Sequence, residues 1–361
     1  MQIQKNYNLE KLNTFGIKIN AKFFVEINSG DELAELFKMP QFKNNKKMFL
    51  GGGSNVLFTK DFDGIIVLNK LKGISILKQE AESVLVRSAG GELWNDLVIY
   101  AVNGGYWGIE NLSFVPGTVG AAPMQNIGAY GVELKDTLFN VEAFNIATGI
   151  KKIFNKEECE LGYRESIFKK KLKDRYFISA VTLKLSIVPK PNLSYKILSD
   201  YLEKTGKEIT LRNISDVVIE IRRSKLPDPK IIGNAGSFFK NVFVTKTELE
   251  RLQKNYPEIP NFDEEGMTSP HLTPDPSPYK GEGRKEESKA YFFKIPAGWL
   301  IEQCGWKGKK VGNAGVHDKQ ALVLVNHGGA KGSEIIELAN RIIASVKEKF
   351  DLELVPEVNI V

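Results

Sequence analysis

A mixed α and β fold with more than one structural unit is predicted by three features of the sequence. Strand-like and helix-like segments alternate through the first third, a β-rich stretch follows a long glycine-rich loop, and one amphipathic helix lies near the end. At 361 residues the chain exceeds one small domain, and two or three units are expected. Apolar residues at 42% and charged residues at 26% suit a soluble protein with a real core.

In order, "AKFFVEI" (21–27) reads as a strand and "SGDELAELF" (29–37) as a capped helix. "KKMFLGGGSNVLF" is a strand running into a glycine loop, and "GIIVL" (64–68) is another strand. "SVLVRSAG" (83–90) precedes "GELWNDLVIYAVNGG", a helix stopped by glycines. Together these give a βαβ-like rhythm. Residues 109–134 are too rich in Gly, Pro and Ala for a helix or regular strand, and a loop of that length is usually functional. "VEAFNIATGIKKIF" and "YFISAVTLKLSIV" then read as strands. In "GSEIIELANRIIASVKEKF", Ile335, Ile336, Ala339, Ile342, Ile343 and Val346 recur at helical spacing, and "ELVPEVNIV" reads as a closing strand. Residues 265–290, crowded with Pro, Gly, Ser and charge, are expected to form a disordered surface insert whose deletion is tolerated.

The formal charge of +6 is a mild excess that suits an anionic small molecule. No dense Lys/Arg block interleaved with aromatics suggests nucleic acid. Without an apolar signal core or a run of roughly 18 apolar residues, a membrane role is not expected and the cytoplasm is. Cys159 and Cys304 lie far apart, as reduced thiols would, and His271, His317 and His327 lack metal-type spacing, so no metal is expected.

Two loops stand out. Gly51, Gly52, Gly53, Ser54 and Asn55 follow a strand directly, where glycines let the backbone approach an oxyanion or simply make a tight turn. The spacing is neither GxGxxG nor the GxxxxGK[ST] phosphate loop. "VPGTVGAAPMQNIGAYG" (115–131) sets small residues beside the amides Gln125 and Asn126, with Tyr130 at its end. It can wrap a planar or phosphorylated ligand, or serve as an irregular structural loop.

Three further residues invite chemistry. Arg164, in "LGYRESIFKK", can grip a carboxylate with paired hydrogen bonds or form a surface ion pair with Glu165. Ser237 is the one hydroxyl of "KIIGNAGSFFKN", a turn residue or a placed proton donor. "GNAGS" (233–237) and its echo "GNAGV" (312–316) both read as glycine turns, and "NHGGAKGSE" (326–334) as a loop capping the last helix. Glu357, after Pro356, would by default sit at the surface. The residues alone leave the reaction open.

The ordered set "NTFGI", "GGGSNVLF", "PGTVGAAPMQNIGAYG", "GYRESIFK", "KLPDPKIIGNAGSFFKN", "AGWLIEQCGWKG" and "PEV" resembles the UDP-N-acetylenolpyruvoylglucosamine reductase family (MurB, type I), over nearly the whole chain except the insert. The resemblance implies an α+β fold. Two FAD-binding subdomains of the vanillyl-alcohol-oxidase (PCMH) type would span 1–73 and 74–225, and a C-terminal α/β substrate-binding domain 226–361. FAD would lie on Gly51 to Asn55 and on Pro116, Gly117, Thr118, Gly120, Gln125, Asn126, Ile127, Gly128, Ala129 and Tyr130. NADPH would be the reductant. The substrate would be UDP-N-acetylglucosamine-enolpyruvate, reduced to UDP-N-acetylmuramate for peptidoglycan synthesis.

In that family Arg164 and Glu357 would stabilise an enolate-like intermediate and Ser237 would protonate it. Glu357 would do so protonated, or by orienting Arg164 or a water. Tyr195, Lys225, Asn241 and Gln303 would touch the nucleotide sugar. The chain would act as a monomer. The alternative is a flavin-dependent oxidase of the same fold, but such enzymes often tether flavin through His or Cys near the first glycine loop, and neither occurs there.

Overall fold

Four strands lie side by side in the order Gln4–Asn8, Asn20–Ile27, Phe62–Asn69 and Lys46–Leu50. The last three are mutually parallel and the first is antiparallel. Parallel strands are covered on both faces, which is why "GIIVL" is a continuous apolar run. Ile65 and Val67 pack with Val25, Ile27 and the helix Gly30–Leu36, while Ile66 and Leu68 enter the main core. Ser29 caps that helix by accepting the Glu32 N–H at 3.2 Å. The edge strand Lys46–Leu50 delivers the glycines at 51–53. The structure, a computed structural model, describes residues 1–264 and 292–361, so the expected insert at 265–290 lies outside the described residues.

A second sheet is wholly antiparallel, in the order Lys151–Asn155, Leu138–Asn145, Tyr176–Ser186, Ser83–Ala89 and Ile74–Gln79. The helices Trp94–Asn103, Lys196–Thr205 and Leu211–Lys225 share its core. The segment 109–134 runs between them. It is not structureless: it holds 3₁₀ turns at Glu110–Leu112 and Val119–Gln125 and a short pairing of Gly128–Ala129 with Val132–Glu133.

The C-terminal part carries a sheet of Gly233–Ser237, Val323–Asn326, Ala314–Val316 and Lys310–Val311, backed by the helix Gly332–Phe350. That helix buries Ile335, Leu338, Ala339, Ile342, Val346 and Phe350, close to the predicted stripe. One apolar core joins these residues to Leu9, Phe15, Phe24, Val56 and Phe58, so residues from 1–73 and 226–361 share an interior. The α+β class follows from parallel pairing that, among the described residues, is confined to the first sheet and to one short terminal pair.

Two expectations are corrected. "GNAGS" is an edge strand with a register shift between Asn234 and Ser237, because its backbone pairs with Val323–Asn326 despite the glycines. "ELVPEVNIV" is strand only at Asn359–Ile360, parallel to Val56–Leu57. Pro356 cannot donate to a ladder and makes only an isolated bridge to Phe239.

Candidate active site

A cavity of about 580 Å³ opens between the first two sheets, with residues 51–55 and 116–118 on one wall and Phe168, Lys169 and Leu172 on another. The two glycine-bearing loops nearly touch. A Cβ on Gly51 would fall 2.2 Å from Thr118 Oγ1, and one on Gly52 would fall 3.1 Å from the Cα of Gly117. Thr118 Oγ1 is buried without a hydrogen-bond partner, which a polar ligand in the cradle would supply. Close backbone approach plus an unspent hydroxyl fits a nucleotide cofactor's phosphates. Gln125 and Ile127 also line the cavity.

Asn55, Gln125, Glu357 and Arg164 form one chain of contacts at this site. Asn55 donates to Gln125 Oε1 at 2.5 Å, and Gln125 Nε2 donates to Glu357 Oε1 at 3.2 Å. Arg164 Nε lies 3.0 Å from the same oxygen, and Arg164 Nη2 donates to Gly128 O at 2.8 Å. The pair is mostly shielded, with side chains 18% and 13% exposed. Burial opposes the arginine's charge, but the Glu357 carboxylate beside it holds the guanidinium above its ordinary range. The Arg164 Nε–H is not aligned for a hydrogen bond within the protein, so that donor is unspent.

Glu357 is placed by its backbone, whose N–H donates to Phe238 O at 2.8 Å. Ser237 immediately precedes Phe238, so acid and hydroxyl arrive on adjoining segments. Phe238 and Phe239 are 0% and 1% exposed, making a rigid, dry support for the partly buried Ser237. The surface pairing of Arg164 with Glu165 does not occur: Glu165 takes Lys240 Nζ at 2.6 Å instead.

The remaining expected residues divide. Asn126 is fully buried and spent on structure, donating to Glu133 Oε2 and Gly162 O at 3.0 Å and accepting from Lys135 N at 2.9 Å. Gly128 and Ala129 pair with Val132–Glu133, so their part of the loop supports Arg164. Tyr130 and Tyr195 meet edge to face at 5.3 Å. Asn241 accepts from Ala297 N at 3.1 Å. Lys225 ends the helix Leu211–Lys225. Gln303 is exposed at the far end of Ala297–Gln303, its carbonyl accepting from Lys349 at 2.5 Å.

Two features escaped the sequence reading. Arg222 donates to Phe114 O at 3.1 Å and lies beside Tyr130. Burial pushes its guanidinium below the ordinary value, and the nearby Arg164 charge adds to this. Its signal was available, since Arg222 and Lys225 are three apart on one helix and share a face. The cavity wall formed by Phe168, Lys169 and Leu172 was also missed. Burial, and then the Lys240 charge, lower the Lys169 ammonium's pKa.

Comparison with known proteins defines the class first. A family model described as an FAD binding domain matches residues 21–152, and one described as the C-terminal domain of UDP-N-acetylenolpyruvoylglucosamine reductase matches 228–361. The chain is thus an FAD-dependent oxidoreductase with its own C-terminal domain type. It is 44% identical to the UDP-N-acetylenolpyruvoylglucosamine reductase of Flavobacterium johnsoniae and 43% identical to that of Amoebophilus asiaticus, with 100% of both chains covered each time. The chain belongs to the UDP-N-acetylenolpyruvoylglucosamine reductase family. The crystal structure of the Thermus caldophilus reductase has the same fold, with a TM-score of 0.65 at 22% identity over 100% of this chain and 99% of that one.

Proposed function

We propose that this chain reduces the enolpyruvyl group of UDP-N-acetylglucosamine-enolpyruvate to the lactyl ether, giving UDP-N-acetylmuramate at the expense of NADPH. The observation that carries this reading is the contact chain from Asn55 through Gln125 and Glu357 to Arg164, which ties the cofactor cradle to the segment bearing Ser237. Residues 51–55, 116–118 and 120 would hold FAD, which when bound would pass on the hydride supplied by NADPH.

The chain's own residues do the rest. Arg164, with an unspent Nε–H, binds the substrate carboxylate and offsets the charge that grows on it as C3 gains hydride. Glu357 orients that guanidinium. Ser237 gives its proton to C2, where geometry ranks ahead of the weak acidity of a hydroxyl. Tyr195, Lys225, Asn241, Gln303 and Arg222 are assigned to the nucleotide sugar. The enzyme is read as a cytoplasmic monomer. Among the described residues no helix is long and apolar enough to cross a membrane, and no cluster could hold a metal.

The test separates the two half-reactions anaerobically. Ser237→Ala should bleach with NADPH at a rate within about twofold of wild type, while colour return on adding the enolpyruvyl nucleotide slows by roughly 10²–10⁴-fold. An equal loss in both halves, or none in the second, rules out Ser237 as the donor. Wild-type flavin that bleaches yet ignores the nucleotide would favour the oxidase.

A further inference from the structure

Arg164 has φ +55, the left-handed region that side chains avoid. It sits in a tight turn closed by Gly162 N to Glu165 O at 3.1 Å and Glu165 N to Gly162 O at 3.2 Å. Such a conformation persists only where the surroundings over-determine it. Here both flanking side chains are bolted to one short run of the C-terminal part. Tyr163 packs edge to face on Phe243 at 5.0 Å, while Glu165 takes the ammonium of Lys240 at 2.6 Å.

Lys240 is 5% exposed, an unusual position for a lysine. It holds two things at once. Its Nζ reaches Glu165, one residue from Arg164, and its backbone N–H donates to Val355 O at 2.9 Å, two residues from Glu357. It also lies three residues after Ser237. Glu165 keeps a second, looser cation in Lys170 at 3.7 Å.

We propose that Lys240 is a positioning residue that registers Arg164 against Glu357 and Ser237, through an ion pair to the arginine's turn and a backbone bond to the glutamate's arm. This rests on the reading of Arg164 as the carboxylate-binding group. Lys240 touches neither substrate nor cofactor in this role. A displaced turn would misdirect the guanidinium, so the consequence falls on the substrate's carboxylate and spares the rest of the nucleotide.

Calorimetry on the FAD-loaded enzyme tests this without turnover, using UDP-N-acetylmuramate, which carries the carboxylate, and UDP-N-acetylglucosamine, which lacks it. Lys240→Met removes the ammonium and keeps the backbone N–H. Glu165→Gln, nearly isosteric, removes the charge from the other side and carries the test if the first variant folds poorly. Each should weaken the carboxylate-bearing ligand by about tenfold, the worth of one charge-assisted bond, and leave the other ligand within about twofold. Equal weakening of both ligands would make the pair merely structural and overturn the inference. So would unchanged discrimination in both variants. A wild type that binds the two ligands equally would instead remove the role of Arg164, and the inference with it.

Discussion

Gly53→Ala, set against Gly16→Ala, measures how tightly the cofactor loop is held. Both glycines are left-handed, at φ +63 and +66, so each alanine pays about 1–2 kcal/mol for that conformation. They differ in surroundings. Nothing lies within 4 Å of a Cβ on Gly16, whereas one on Gly53 would stand 2.0 Å from the carbonyl oxygen of Leu12. That oxygen cannot yield easily. Asn13 beside it is 4% exposed, donates to Leu9 O and Ile17 O at 2.8 and 3.0 Å, and accepts from Ile17 N at 2.9 Å. The 51–55 loop must therefore move by roughly 1 Å or more to restore ordinary contact, straining the 3.0 Å bond from Thr14 N to Gly53 O. Overpacking of this kind adds about 1–3 kcal/mol. Gly53→Ala should thus lose roughly 2–5 kcal/mol against about 1–2 for Gly16→Ala in urea denaturation. Flavin titration of the apoprotein should show weakened FAD binding for the first variant alone. Equal losses and equal FAD affinities would refute the claim that the loop is wedged against Leu12.

The other predictions concern charge, ring contact and thiols. Glu142 accepts two bonds from Arg87 at 2.6 and 2.9 Å and faces Lys151 at 2.6 Å, and chiefly the Arg87 bonds lower its carboxyl from 4.5 to about 2. A depressed carboxylate contributes stability above its unfolded pKa, lost as pH falls through the folded one, so about 3 kcal/mol separates wild type from Glu142→Gln at pH 7 and this gap closes between about 4.5 and 2. A gap that ignores pH in urea melts would refute this. Tyr195→Leu removes the edge-to-face contact with Tyr130, worth about 0.5–1.5 kcal/mol, and should raise KM for the nucleotide about tenfold at most while flavin reduction by NADPH is unchanged. Burial makes Cys159 inaccessible and pushes its thiol up to about 12, so it should resist alkylation of the native protein at pH 8 and react only on unfolding.

How much the sequence revealed depends on how local each determinant is. The strands at 21–27 and 64–68 were legible because burial on both faces leaves an apolar run. The helix at 332–350 was legible because its stripe keeps helical period over five turns. Glu357 was legible only through the family resemblance. By itself a glutamate after a proline looks exposed, and what sets it beside Arg164 is its contact with Gln125, 232 positions away, and with Phe238. Lys240 was passed over for the same reason, since nothing near it in sequence announces a carboxylate 75 positions earlier. The side-chain role of Asn126 was likewise hidden: it sits inside a ligand-like motif, and its amide is engaged by Glu133, Gly162 and Lys135. Glycine content suggested a turn at 233–237, where strand pairing prevails.

The contact chain also bears on what Glu357 does. The Asn55 amide nitrogen also donates to Glu357 O at 3.4 Å, so its NH₂ side faces Gln125, whose oxygen accepts from it and whose own NH₂ faces the glutamate. Glu357 Oε1 therefore meets a donor from Gln125 and the Arg164 Nε on the same atom. On the proposed reading Glu357 is then an acceptor that aims Arg164, with Ser237 as the proton donor. The arrangement also makes the glycine-loop cradle and Arg164 parts of one network, because Asn55 and Gln125 belong to the two loops that close the cavity. A change in either loop should then be felt at Arg164, whereas a change at Gln303, exposed at the end of its helix, should not.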